Sequence, residues 1–195
     1  VAVEGREGNA AKIRAAAEIV GVQLEVIVED VRRLPELGLG RFDLVLCLGL
    51  LYHLDWPSIP PFLAAIAAAG DVVVIDTHLC AHPDTSFEHE GKTYVGTRYR
   101  EYPSEEAAGS FESHPWSAIG NVESAWLTRE SLTNLLADTG FDSVVEGLHP
   151  RVGWQGPGRT ILIARRNPAA ALRSLPPGTE LPPVRWPEIT SPAPR

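Results

Sequence analysis

The sequence predicts an α/β fold of the doubly wound kind, with a mostly parallel sheet, from three observations. Short, nearly continuous apolar runs (Leu24 to Val28, Phe42 to Leu48, and DVVVID at Asp71 to Asp76) alternate with stretches of helical spacing. Such runs mark strands covered on both faces. Two neighbouring runs also end in groups able to do chemistry: Glu29 and Asp30 after the first, Gly49, Tyr52 and His53 after the second. In an open parallel sheet, ligands bind in the crevice beyond the carboxyl ends of the strands, so polar groups at adjacent strand ends are a site signal. Finally, two apolar runs near the end, Ser143 to Leu148 and Thr160 to Ala164, have no helix between them and are joined by the glycine-rich VGWQGPGR, which predicts an antiparallel hairpin.

Each element follows from local chemistry. Val1 to Val3 reads as the end of a buried strand stopping at the acidic turn Glu4–Gly5. Ile13, Ala16, Ala17 and Val20 recur at helical spacing, with Asn9 as the expected N-cap and Gly21 as the stop. Pro57 and the alanine-rich run after it predict a helix over Ser58 to Ala69, ended by Gly70. Residues 77–127 break the rhythm with tyrosines, tryptophans and arginines, and are expected to form a long ordered lid or binding insertion. In it Trp116 and Trp126 are expected to pack the lid on the sheet, while Arg98 and Arg100 could pair a carboxylate or phosphate. Thr128 is the expected N-cap of a helix through Asp138, with Leu132, Leu135 and Leu136 on one face. From Asn167 onward prolines dominate, so 167–195 reads as a flexible tail and 1–166 as one domain.

The totals restrict the function classes. A chain of 195 residues, 44% of them apolar, suits one globular domain. A net charge of −8 argues against a nucleic-acid partner and for a small molecule. No apolar stretch approaches the roughly 20 residues that cross a bilayer. Cys47 and Cys80 sit in apolar runs with no secretory signal before them, which fits reduced thiols and a cytoplasmic location. The chain holds no methionine and begins on Val1 inside an apolar run, so an N-terminal piece is expected to be missing.

Among the chemistry-bearing positions, Glu4 at a strand end could accept from both hydroxyls of a ribose, or be a solvated turn carboxylate. Asp30 with the N–H of Val31 could read an adenine edge, although an Asx-type turn is common there. His53 is the best proton acceptor, since an imidazole with a free pKa of about 6.5 can take a proton at neutral pH; a hydrogen-bonded structural role is its bland alternative. Asp76, His78, Cys80 and His82 alternate, but ligands on every second residue of one strand seldom close a tetrahedron, so no metal is expected. Asp76 and His78 read better as the floor of an acceptor pocket.

In combination these positions resemble a family. The EGRE.N turn at Glu4, Asp30 one strand later, LCLGLLYHL at Leu46 to Leu54, VVIDTH at Val73 to His78, YREYP at Tyr99 to Pro103 and GN..S.WLT at Gly120 to Thr128 resemble, in order and spacing, bacterial class I S-adenosylmethionine-dependent methyltransferases over roughly residues 1–166. The resemblance implies a Rossmann-like fold and S-adenosyl-L-methionine as cofactor. It implies that Glu4 and Gly5 hold the ribose, Asp30 and Val31 the adenine, and Leu48 and Gly49 the methionine side. Tyr52 and His53 would face the transferred methyl group, with Asp76, His78, Tyr99 and Arg100 toward a small-molecule acceptor. The family's first strand and its glycine-rich loop are not found in this sequence. That strand would lie between those beginning at Val1 and Phe42, so its loss should open an apolar seam and weaken both cofactor binding and stability. A non-catalytic remnant, a transfer-RNA methyltransferase and a nicotinamide-dependent oxidoreductase are the rival readings; the oligomeric state is not legible.

Overall fold

The computed structural model describes residues 1–147 and 158–166, and three sheets carry the fold. Strand β1 (Ala2–Glu4) leads into helix α1 (Glu7–Val20) and then β2 (Val26–Val28), which pairs with β1 in parallel, Glu4 opposite Val28. Helix α1 starts three residues earlier than Asn9 suggested: Arg6 is its cap residue and Asn9 lies inside it. The Arg6 N–H, otherwise an orphan at the helix start, donates to Glu4 Oε1 at 2.9 Å.

The second sheet has the order β3-β4-β9-β8. It comprises β3 (Val45–Leu48), β4 (Val72–His78), β8 (Ser143–Gly147) and β9 (Arg159–Arg165), and helix α2 (Ile59–Ala69) links the first two. β3 and β4 run parallel, whereas β9 pairs antiparallel with both β4 and β8. The expected closing hairpin is therefore present, while most of its connecting turn and the 167–195 tail lie outside the described residues. On β4, Val73, Ile75 and Thr77 alternate into the core, where Leu63 and Ile66 of α2 meet them.

The expected long lid at 77–127 is corrected by the structure. Residues 77–127 include a third sheet, antiparallel, of β5 (Thr85–His89), β6 (Lys92–Arg100) and β7 (Glu123–Leu127), with helix α3 (Glu105–Gly109) in the β6–β7 connection. Glu90 and Gly91, both at positive φ, make the tight turn between β5 and β6. The sheet is part of the main core, because Phe87, Tyr94, Ala125 and Leu127 bury themselves in the same cluster as α2. Trp56 stacks on Phe87 with centroids 4.9 Å apart, and the Ala125 N–H donates to Leu54 O. Helix α4 (Arg129–Asp138) begins as expected, with the Thr128 hydroxyl accepting from the Ser131 N–H, and its Leu132, Leu135 and Leu136 are buried.

The N-terminal unit differs. Neither β1 nor β3 has a described partner on its second edge, and Leu46 and Leu48 of β3, with Leu44 just before it, stand 60%, 57% and 48% exposed. No helix among the described residues is long and apolar enough to cross a membrane.

Candidate functional site

The carboxyl ends of β1, β2 and β3 open on one groove of about 560 Å³. Glu4 and Gly5 edge it from β1, Asp30 and Val31 from the end of β2, and Leu48 and Gly49 from β3; Tyr52 and His53 stand on the turn that follows. Eight of the residues singled out in the sequence thus line one space. Gly49 needs its residue type, because its φ of +68° is a left-handed conformation; there its N–H reaches Asp76 O at 2.9 Å and ties the turn to β4. Gly5 lies close against the facing loop: a Cβ there would sit 2.3 Å from Ile119 Cδ1, so the tip of that side chain would have to swing aside.

Ile119 belongs to a strap, residues 115–119, that forms the outer wall of the groove. Buried Arg6 holds the strap with its Nη2, which donates to the carbonyls of His114 and Ser117 at 3.2 and 2.7 Å. Arg32 holds its far end through Ile119 O at 2.8 Å. Tyr102 fastens the middle by its hydroxyl to Ala118 O. Trp116, expected to pack, is instead 89% exposed at the edge of the groove.

The carboxylates differ in their engagement. Asp30 is an N-cap, accepting from the Arg32 N–H at 2.9 Å, and it also pairs with the Arg32 guanidinium. The Asx-type turn weighed against an adenine role is therefore physically present, though Asp30 still edges the groove. Partial burial pushes its carboxyl up, but Arg32, by hydrogen bonds and charge, outweighs this and holds it below the usual carboxylate range.

His53 is gripped from behind. Its Nδ1 lies 3.0 Å from Glu101 Oε1, and the Glu101 side chain is 2% exposed. Glu101 also accepts from the Ser124 hydroxyl at 2.9 Å and from the Ala118 N–H at 3.1 Å. Asn121 donates to the His53 carbonyl at 3.2 Å. Glu101 was missed in the sequence although it sits inside the YREYP motif.

The four expected acceptor residues do not line the groove. Asp76 is behind its wall, in a bidentate pair with Arg159, and Arg159 itself does line the groove. Tyr52 lies under that guanidinium, 5.8 Å from its carbon, and burial raises the Tyr52 phenol above its ordinary range. His78 stacks on Trp126 at 4.9 Å and Tyr99 stacks on the same indole at 4.4 Å. Burial and then Arg159 lower the His78 pKa. Arg100 spends its guanidinium on the carbonyls of Tyr102 and Pro103, and Arg98 faces Glu123 at 3.6 Å. Cys47 and Cys80 are free and buried, and burial pushes the Cys47 thiol up to about 12. No cluster of three or more ligating side chains occurs among the described residues.

A second cleft of about 550 Å³, edged by Asp55, Trp56, Arg98 and Glu123, lies across Asn121 from the first.

No family model matches the sequence, and no curated protein is similar to it at sequence level. Solved structures are similar. The N-terminal domain of EvdMO1 with SAH bound is 29% identical, with a TM-score of 0.65 over 85% of this chain and 63% of that one. The same domain in the presence of SAH and D-fucose matches equally well, over 65% of its length. The chain thus spans less than two thirds of those proteins' length. A 1,6-didemethyltoxoflavin-N1-methyltransferase from Burkholderia thailandensis shares the fold at 19% identity and a TM-score of 0.52, over 80% of this chain and 56% of that one. The chain thus shares the Rossmann-like fold of these proteins, and in it three strand ends meet at one groove.

Proposed function

We propose that this protein transfers a methyl group from S-adenosyl-L-methionine to a small-molecule acceptor. The observation that carries the reading is the meeting of Glu4, Asp30 and Gly49, from three separate strand ends, at a single groove. The donor set suits an adenosyl group. Glu4 has the chemistry to accept from a ribose diol, the Val31 N–H and the Asp30 carboxylate that of an adenine edge, and Leu46 and Leu48 give an apolar floor. When bound, S-adenosyl-L-methionine supplies an electrophilic methyl carbon on a positively charged sulfur. The chain's own work is then to align an acceptor beside Tyr52 and His53, to exclude water beneath the strap, and to take the acceptor's proton on His53.

S-adenosylhomocysteine titrated into the chain by calorimetry tests this. Weak but saturable binding is expected, with a Kd of about 0.1–1 mM because no glycine-rich cradle for the amino-acid end occurs among the described residues; an N-terminally extended version supplying one should bind more tightly. Glu4→Ala should weaken either version about tenfold or more, the worth of charge-assisted hydrogen bonds. Indifference of both versions to Glu4→Ala, or no binding by either, overturns the proposal.

A further inference from the structure

We propose that Glu101 is the positioning residue of the site, holding His53 in the tautomer that carries its proton on Nδ1 and presents Nε2 as the acceptor. The inference rests on the proposed role of His53 as base, and it stands on the arrangement of three polar groups around one buried carboxylate.

Glu101 follows β6 directly, its side chain is almost wholly enclosed, and no arginine or lysine among the described residues is within salt-bridge distance of it. Three donors reach it instead. The Ser124 hydroxyl and the His53 Nδ1 share Oε1 at 2.9 and 3.0 Å, and the Ala118 N–H takes Oε2 at 3.1 Å. An ionised carboxylate accepts only, so the nitrogen facing it must bear a hydrogen, and a neutral imidazole then has its lone pair on the other nitrogen. His53 lines the groove, and its Nε2 has no hydrogen-bond partner among the described residues. The donors come from three places: the turn after β3, the strap and β7. Glu101 therefore fixes the base against the very strap that walls the groove. When an acceptor's X–H bond breaks, its electron pair stays on the acceptor atom and the proton joins Nε2. The imidazolium formed is held beside a carboxylate already in place, which is the arrangement that stabilises such a charge. Serine at position 124 completes the acceptance capacity of Oε1 and orients the carboxylate plane.

The test is ¹⁵N NMR of the histidine side chains in the unliganded protein, which distinguishes protonated from bare ring nitrogens and needs neither cofactor nor acceptor. For the neutral imidazole of His53, a protonated Nδ1 and a bare Nε2 are expected. Glu101→Gln, which turns an amide N–H toward the ring, should move the hydrogen to Nε2. Ser124→Ala, which keeps the carboxylate, should leave it on Nδ1. A wild-type His53 with the hydrogen on Nε2 overturns the proposal even if the Glu101 variant fails to fold, and so does a folded Glu101→Gln protein with an unchanged tautomer. Because no ligand is used, this outcome is separate from that of the S-adenosylhomocysteine titration.

Discussion

The two halves of the groove are built to different standards. Of the two halves that the proposed function distinguishes, the acceptor half, from β3 onward, rests on a continuous core: every buried member of the main cluster lies at Cys47 or later, and Glu101, Ser124 and His53 are locked together above it. The nucleotide half, β1–α1–β2, contributes only Ala10 and Ala17 as buried apolar residues, while Ile19 and Val20 stand 85% and 72% exposed. Its ties to the remainder of the site are polar, through Arg6 and Arg32 to strap carbonyls. Apolar burial at about 25 cal/mol per Å² is what stabilises a domain, so the difference says that the His53 side of the groove is self-supporting while the Glu4 and Asp30 side is held by few, directional contacts. Among the described residues the second edges of β1 and β3 have no partner strand, and Leu44, Leu46 and Leu48 stand exposed in and just before β3.

Substitutions can break this contrast. The largest expected effect is Leu135→Ala in α4, where a wholly enclosed side chain leaves a cavity: a loss of about 2–5 kcal/mol in urea unfolding. Ile19→Ser on α1 should change stability by less than about 0.5 kcal/mol, because nothing covers that side chain. Equal losses from the two would mean that the N-terminal unit is as well packed as the core.

A smaller effect sharpens the same contrast through pH. Burial and Arg159 depress the His78 pKa in the folded protein, so the unfolded chain binds the proton more readily. The stability this represents is present above the unfolded value of about 6.5 and is lost as pH falls through the folded one. The melting temperature should therefore decline from about pH 7 to about pH 5, and His78→Asn should flatten part of that decline. An unchanged slope in the variant would remove His78 from the acceptor half's titrating groups.

How much was legible in the sequence follows from where the signals were local. The strand ends, the Thr128 cap and the closing hairpin depend on residues a few positions apart, and the structure has them. The β5–β6–β7 sheet was hidden because only one face is buried: Phe87, Tyr94 and Gly96 point inward while Glu88, Lys92 and Arg98 interrupt the apolar run. Asn9 was a plausible cap by type, yet the helix starts earlier, at Glu7, because Glu4 satisfies the Arg6 N–H.

The same period of two explains a near miss in the site. Arg100 was chosen from YREYP, but Tyr99 and Glu101, two apart, reach the Trp126 and Ser124 side, and Arg100 turns back onto its own chain. Counting alternation through the motif could have found Glu101. Arg6 and Arg159 offered no such handle, because their partners lie about a hundred and about eighty residues away in sequence.

The convergence of the acids at 4 and 30 with the glycine at 49 is tested most directly by residue-resolved NMR during titration with 5′-methylthioadenosine, the adenosyl half of the cofactor. The amide signals of Glu4, Gly5, Asp30, Val31, Leu48 and Gly49 are predicted to shift together along one binding curve. Shifts confined to the cleft around Asp55 and Arg98, or none at all in a protein shown to be folded, would contradict the assignment.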